Sequence, residues 1–292
     1  MKQALGTVLT AMVTPFRADL SLDEDGLARL AEHLLDSGSD GLVVAGTTGE
    51  SPTLTDAEKR RMFRIVVEAA AGRGPVVAGT GSNDTTHSVE LTRAAEAAGA
   101  DAILLVTPYY NKPPRRGMLL HFRTVAASTS LPVVVYNIPS RCAVNLPPEL
   151  LAELAEVENI VAVKQANPDL DESRRVRELC DLRLYAGNDD MLFDICRLGG
   201  AGGICVASHL VGRQMGEVAA LVAAGRTDEA GALHQRLLPL YEALSITTNP
   251  IMIKAALVLT GRDPGGLRPP LVAASDDEMN ALKQELENQG LL

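Results

Sequence analysis

Lys164, Tyr136 and the stretch Gly46-Thr47-Thr48-Gly49-Glu50-Ser51 stand where a carbonyl compound could be handled. Lys164 closes the apolar run Ile160-Val161-Ala162-Val163, and Tyr136 closes Val133-Val134-Val135 in the same way. Burial of an amine at such a place disfavours its ammonium form and leaves a nucleophile for a carbonyl. A phenol on the neighbouring strand, ~4.8 Å away, could pass protons to and from a carbinolamine. The hydroxyls and free N–H groups of the 46–51 stretch suit a carboxylate without any cation. Arg141, five residues after Tyr136, could clamp a second carboxylate in bidentate fashion. Each residue taken singly also has an ordinary reading. A strand-end lysine can reach back to solvent, a tyrosine can fill core or rim, a glycine-bracketed stretch can be only a turn, and a loop arginine can be a surface ion pair.

Those residues need elements to hold them. Apolar runs at 7–13, 41–45, 76–78, 102–106, 133–136, 160–163, 184–186 and 203–206 are short and rich in β-branched residues, as parallel strands covered on both faces should be. Amphipathic helical periods alternate with them: Leu27, Leu30, Ala31, Leu34 and Leu35 mark one face, Met62, Ile65, Val66 and Ala69 another. Both helices open on capping-box spacing, Ser21-x-x-Glu24 and Thr55-x-x-Glu58. Further helices are expected at about 85–98, 117–128, 147–155, 171–180, 189–198 and 212–224. Eight β-then-α units without a dinucleotide fingerprint point to an α/β chain closed as a (β/α)8 TIM barrel over residues 1–226. Residues 227–292 read as a C-terminal helical extension, with helices near 228–246, 249–260 and 276–289. In such barrels the C-terminal strand ends carry the chemistry, which is where Lys164, Tyr136 and the 46–51 stretch fall.

Composition excludes several classes. The net charge of −10 comes from scattered acidic residues, so neither nucleic acid nor an anionic membrane surface is an expected partner. The histidines at 33, 87, 121, 209 and 234 show no HxH or HExxH pattern, and the four cysteines no CxxC pair, so no metal is expected. No apolar run reaches the ~20 residues needed to span a bilayer, and residues 1–16 lack a cleavage motif. A cytoplasmic protein with reduced thiols is the expectation.

Together the residues resemble the dihydrodipicolinate synthase / N-acetylneuraminate lyase family, from about residue 5 to the C-terminus. Its markers stand in order: Thr10-x-x-x-Thr14-Pro15-Phe16, GTTGES at 46–51, TPYYN at 107–111, YNIPSR at 136–141, Val163-Lys164 and NPIMIK at 249–254. The resemblance implies that Lys164 forms an imine with pyruvate and that Tyr136 shuttles protons. It implies a relay completed by Thr47 and by Tyr110 of a neighbouring subunit. Thr47 and Thr48 would hold the pyruvate carboxylate, Gly187 and Ile204 would line its pocket with backbone, and Arg141 would bind the carboxylate of L-aspartate-4-semialdehyde. It further implies a homotetramer of two tight dimers and no metal or organic cofactor, because the imine is itself the electron sink.

Pyruvate condensation with that semialdehyde, in lysine and diaminopimelate biosynthesis, is the expected activity. A sister aldolase acting on N-acetylneuraminate or a 2-keto-3-deoxy sugar acid is the alternative within the family, and a non-catalytic barrel the alternative outside it. Arg141 separates the first two, since a sugar aldehyde calls for neutral partners. Two departures from the family pattern stand out. Gln165 follows the lysine where many members carry an acid, which would alter the charge near the second substrate. Asn83 and Tyr109 match a feedback site for L-lysine, but Asp56, Lys59 and His87 replace His, His and Glu there, so weak or absent inhibition is expected.

Overall fold

The structure is a computed structural model and describes residues 5–292; the first four residues of the expected barrel segment lie outside it. Eight parallel strands close on themselves in chain order, with β1 paired to both β2 and β8. They are β1 Val8–Ala11, β2 Gly41–Val44, β3 Val76–Gly79, β4 Ala102–Val106, β5 Val133–Asn137, β6 Ile160–Gln165, β7 Arg183–Ala186 and β8 Gly202–Cys205. Strand alternation splits their side chains between two cores. Leu9, Val43, Val77, Leu104, Val134, Ala162, Tyr185 and Ile204, one per strand, fill the barrel. Val8, Leu42, Val76, Ile103, Val133 and Val163 face the helices. The (β/α)8 barrel expected from the sequence is therefore present.

The surrounding helices are α1 Glu24–Asp36, α2 Asp56–Ala70, α3 Thr85–Ala97, α4 Arg115–Ala126, the single turn α5 Pro139–Cys142, α6 Pro148–Ala155, α7 Leu170–Leu179, α8 Leu192–Arg197 and α9 Ser208–Ala223. Thr55 caps α2 with the expected box, its hydroxyl accepting from the Glu58 N–H at 3.2 Å while Glu58 accepts from the Thr55 N–H at 2.8 Å. The box expected at Ser21 does not form. Ser21 turns to Asp19 instead, and Leu22 is held extended in a bridge with Phe16. Asp23 then caps α1, accepting from the Gly26 N–H at 3.1 Å. The helix expected at 189–198 is a 3₁₀ turn over Asp189–Met191 followed by α8, and α9 starts four residues before its expected position.

Three helices follow: α10 Thr227–Ala243, α11 Ile251–Leu259 and α12 Asp276–Asn288. Helix α10 packs on α8 and α9, and α12 packs on α10 and α11. Between α11 and α12 the chain returns to the barrel mouth. There the Arg268 guanidinium makes a two-pronged bond to Glu58, at 2.6 and 3.0 Å, and also donates to the carbonyls of Thr53 and Leu20. Among the described residues no helix is long and apolar enough to cross a membrane.

That ion pair makes stability depend on pH. The Arg268 guanidinium holds the Glu58 carboxyl down at about 2, against 4.5 ordinarily. A carboxyl depressed by folding stabilises the native state above its unfolded pKa, and that stabilisation fades as pH falls through the folded value. Glu58→Gln should therefore cost on the order of 2 kcal/mol at pH 7. In chemical denaturation the gap to the wild type should close as the pH is taken from 5 towards 2. A gap that stays constant over that range would show that the pair does not carry the effect.

Candidate active site

Lys164 and Tyr136 meet because β5 and β6 pair in register, Tyr136 opposite Lys164. Counting by twos from Ala162, Lys164 points into the barrel mouth, as Tyr136 does counting from Val134. Both are buried, at 5% and 4% exposure, and the Lys164 Nζ lies 4.4 Å from the centroid of the phenol ring. The snorkelling reading of Lys164 fails on that burial. Tyr136 is anchored through its carbonyl, which accepts from the Thr107 hydroxyl at 2.8 Å and the Thr107 N–H at 3.0 Å.

The 46–51 loop reaches the same place through a left-handed residue. Ala45, the first residue after β2, sits at φ +55°, and its carbonyl lies so close to Gly79 of β3 that a Cβ there would sit 2.4 Å from the oxygen. Only glycine fits at 79, so the turn into the mouth is encoded on two strands at once. Thr14 then donates its hydroxyl proton to the Gly49 carbonyl at 2.6 Å. Thr48 is buried and its hydroxyl accepts from the Asn249 amide at 2.9 Å. Arg141, on α5, is exposed at the rim and donates to the Thr248 hydroxyl at 3.2 Å and the Asn249 carbonyl at 3.3 Å.

Thr47, Thr48, Tyr136, Arg141, Lys164 and Gly187 all line one cavity of about 480 Å³, with Asn249 and Asp189 in its wall. The structure thus brings together six of the eight residues singled out in the sequence. Ile204 lies within the barrel packing below, and Val206, two residues on, lines the cavity. Tyr110 lines neither this cavity nor its neighbour: it sits at a loop tip, 89% exposed, at φ +70°.

Gln165 corrects the sequence reading. It follows Lys164 on the strand and therefore points to the other side, fully buried, where it accepts from the Asn137 amide at 2.9 Å. An acid-to-amide difference at that position does not touch a substrate in the mouth. Asp189 and Asn249 went unnoticed as site residues. Asp189 accepts from the N–H groups of Val206 and Ala207 at 2.8 and 2.9 Å, and burial pushes its carboxyl up against those bonds and the nearby Lys164 charge. An acid three residues after the β7 run was the available signal for it. Among the described residues no three His, Cys, Asp or Glu side chains gather as a metal set.

A closed parallel barrel that buries one lysine beside one tyrosine at its C-terminal mouth has the architecture of a Schiff-base lyase. Comparison with known proteins narrows this class. A model of the "Dihydrodipicolinate synthetase family" matches residues 4–289, and the chain belongs to that family. A Heliobacterium modesticaldum protein named 4-hydroxy-tetrahydrodipicolinate synthase is 49% identical over 288 residues, covering 98% of this chain and 96% of that one. One of the same name from Moorella thermoacetica is 47% identical, covering 98% and 99%. Among solved structures, the Cyanidioschyzon merolae enzyme with lysine bound superposes with a TM-score of 0.97 at 41% identity, covering 99% of each chain. The chloride-inhibited dihydrodipicolinate synthase of Acinetobacter baumannii complexed with pyruvate gives 0.96 at 34%, covering 99% of this chain and all of that one.

Proposed function

We infer that this protein catalyses the reaction for which its relatives are named, the condensation of pyruvate with L-aspartate-4-semialdehyde. The observation that carries the reading is the single cavity in which Lys164, Tyr136, the Thr47–Thr48 turn and Arg141 converge. Lys164 attacks the keto carbon and loses water to give an iminium, which draws electrons so that a methyl proton can leave. The enamine attacks the aldehyde, and the amine of the new chain displaces Lys164 to close the six-membered ring. Tyr136 moves the protons, with Thr47 and the Tyr110 of a neighbouring subunit completing the relay. Thr47 and Thr48 hold the pyruvate carboxylate, with the backbone at Gly187 and Ile204 shaping its floor. Arg141, already oriented by Thr248 and Asn249, takes the second carboxylate. The exposed Tyr110 fits a subunit that lends this residue across a dimer contact, within a cytoplasmic homotetramer. The barrel and the helices from Thr227 onward serve as catalytic unit and extension respectively.

The test is a coupled assay with pyruvate, L-aspartate-4-semialdehyde, dihydrodipicolinate reductase and NADPH, run beside pyruvate with sugar-derived aldehydes. NADPH oxidation with the semialdehyde alone is expected. Silence there, with turnover of a sugar acid, would move the function to the sister aldolases.

A second cavity of about 500 Å³ adjoins the first and is lined by Asp56, Lys59, Asn83, His87 and Tyr109. His87 Nε2 lies 2.9 Å from Asp56 Oδ1, so that carboxylate already has a partner. Burial pulls the Lys59 ammonium down from its ordinary range, with Asp56 opposing. An amino-acid ammonium entering here meets a resident cation and an occupied carboxylate. Millimolar L-lysine is expected to inhibit the initial rate weakly or not at all, and clear suppression would overturn this.

A further inference from the structure

Glu50 takes no part in the chemistry above, yet its side chain is fully buried directly beside the threonines of the 46–51 loop. One carboxylate oxygen lies 2.7 Å from the Nζ of Lys254, itself buried on α11, and the other accepts from the Arg268 N–H at 2.9 Å. The same ammonium donates to the Gly266 carbonyl at 2.7 Å and stands 4.4 Å from the Phe16 ring centroid. Glu50 holds φ at +57°, a left-handed conformation that a non-glycine residue keeps only where its surroundings impose it. Five residues before Lys254, Asn249 grips Thr48, and its carbonyl together with Thr248 orients Arg141. One segment, 248–254, thereby holds the loop at two points and the rim arginine at a third.

We propose that Glu50 and Lys254 are positioning residues for the oxo-acid carboxylate, locking the 46–51 loop to α11 so that Thr47 and Thr48 stand at the height the Lys164 adduct requires. A buried ion pair adds little net stability over an apolar pair of the same volume, and its fixed geometry is what an apolar pair would not reproduce. Neither residue lines the cavity, so both act through the threonines. The inference rests on the pyruvate reading of that cavity.

The test uses the full chain in its native assembly, with Glu50→Gln, Lys254→Met and the double variant. Pyruvate half-saturation is read by borohydride trapping and by KM. It should rise about 10–100-fold in all three, the loss expected when a binding group is misplaced by a fraction of an ångström to an ångström. By contrast, kcat and the KM for the semialdehyde should change by less than about fivefold, since only oxo-acid binding is disturbed. The double variant removes the unpaired buried charge, so its Tm should recover while its pyruvate half-saturation stays raised. A purely structural role predicts the reverse: apparent kcat falls with the folded fraction and half-saturation stays at the wild-type value, which would overturn the proposal. If the neutral variants do not fold, Lys254→Arg decides, since it keeps the charge in a head that cannot reproduce the lysine contacts. A raised half-saturation supports the proposal, and a wild-type value defeats it. Wild-type protein that traps no pyruvate would instead defeat the pyruvate reading itself.

Discussion

A Lys164→Ala variant is expected to form no borohydride-stable adduct with pyruvate and to lose turnover by ~10⁴–10⁶-fold, the scale seen when a covalent nucleophile is removed. Three lysines in the described chain are buried, and only one suits the chemistry. Lys254 is spent in its ion pair with Glu50 and lines neither cavity, while Lys59 lines only the second cavity, among Asp56 and His87, and not the one that Lys164 shares with Thr48 and Gly187. Lys164 alone combines burial, a cavity and a phenol 4.4 Å from its nitrogen. The barrel should survive the change, because the side chain lies at the mouth and not in the packing formed by Leu9, Val134 and Tyr185. Peptide mapping of the trapped wild-type protein should place the mass increase on Lys164. An adduct that persists in the variant, or that maps to Lys59 or Lys254, would remove the foundation of the mechanism.

The strands were legible because parallel strands covered on both faces are apolar on both faces, and every strand falls on one of the eight apolar runs with ends shifted by at most two residues. The same regularity put Lys164 and Tyr136 at strand ends, where side-chain direction follows from counting by twos. Gln165 shows the limit of reading by adjacency. One residue along a strand reverses the face, so a neighbour in sequence lies across the sheet from the chemistry. Local pattern also missed elements decided by competition. Ser21 had capping spacing, but Asp19 and the Phe16–Leu22 bridge claimed it, and Asp23 was better placed. Helix α5 is one turn long, too short for periodicity to register, yet it carries Arg141. The grip of Asn249 on Thr48 and of Lys254 on Glu50 joins residues some two hundred apart. No window of sequence contains such a contact; only closure of the barrel and the return of its tail creates it.

Tyr136→Phe separates holding the amine from moving its protons. The ring packs in the barrel mouth and presents its face to Lys164, and phenylalanine preserves both the packing and that contact. What disappears is the hydroxyl, and with it the group proposed to take a proton from the carbinolamine and return one to the departing oxygen. A positioned acid–base group of this kind contributes ~10²–10⁴-fold, so kcat should fall by that factor while the KM values change little. Adduct formation is an equilibrium that the enzyme only hastens. Prolonged incubation with pyruvate and borohydride should therefore still label Lys164 in the variant, with the rate of labelling reduced in step with kcat. If kcat falls by less than about tenfold, water or another side chain carries the protons, which lies below the range for a single acid–base group. If labelling is lost even at long times, Tyr136 is needed to bind pyruvate or to hold Lys164 in place, and the proton-shuttle role fails.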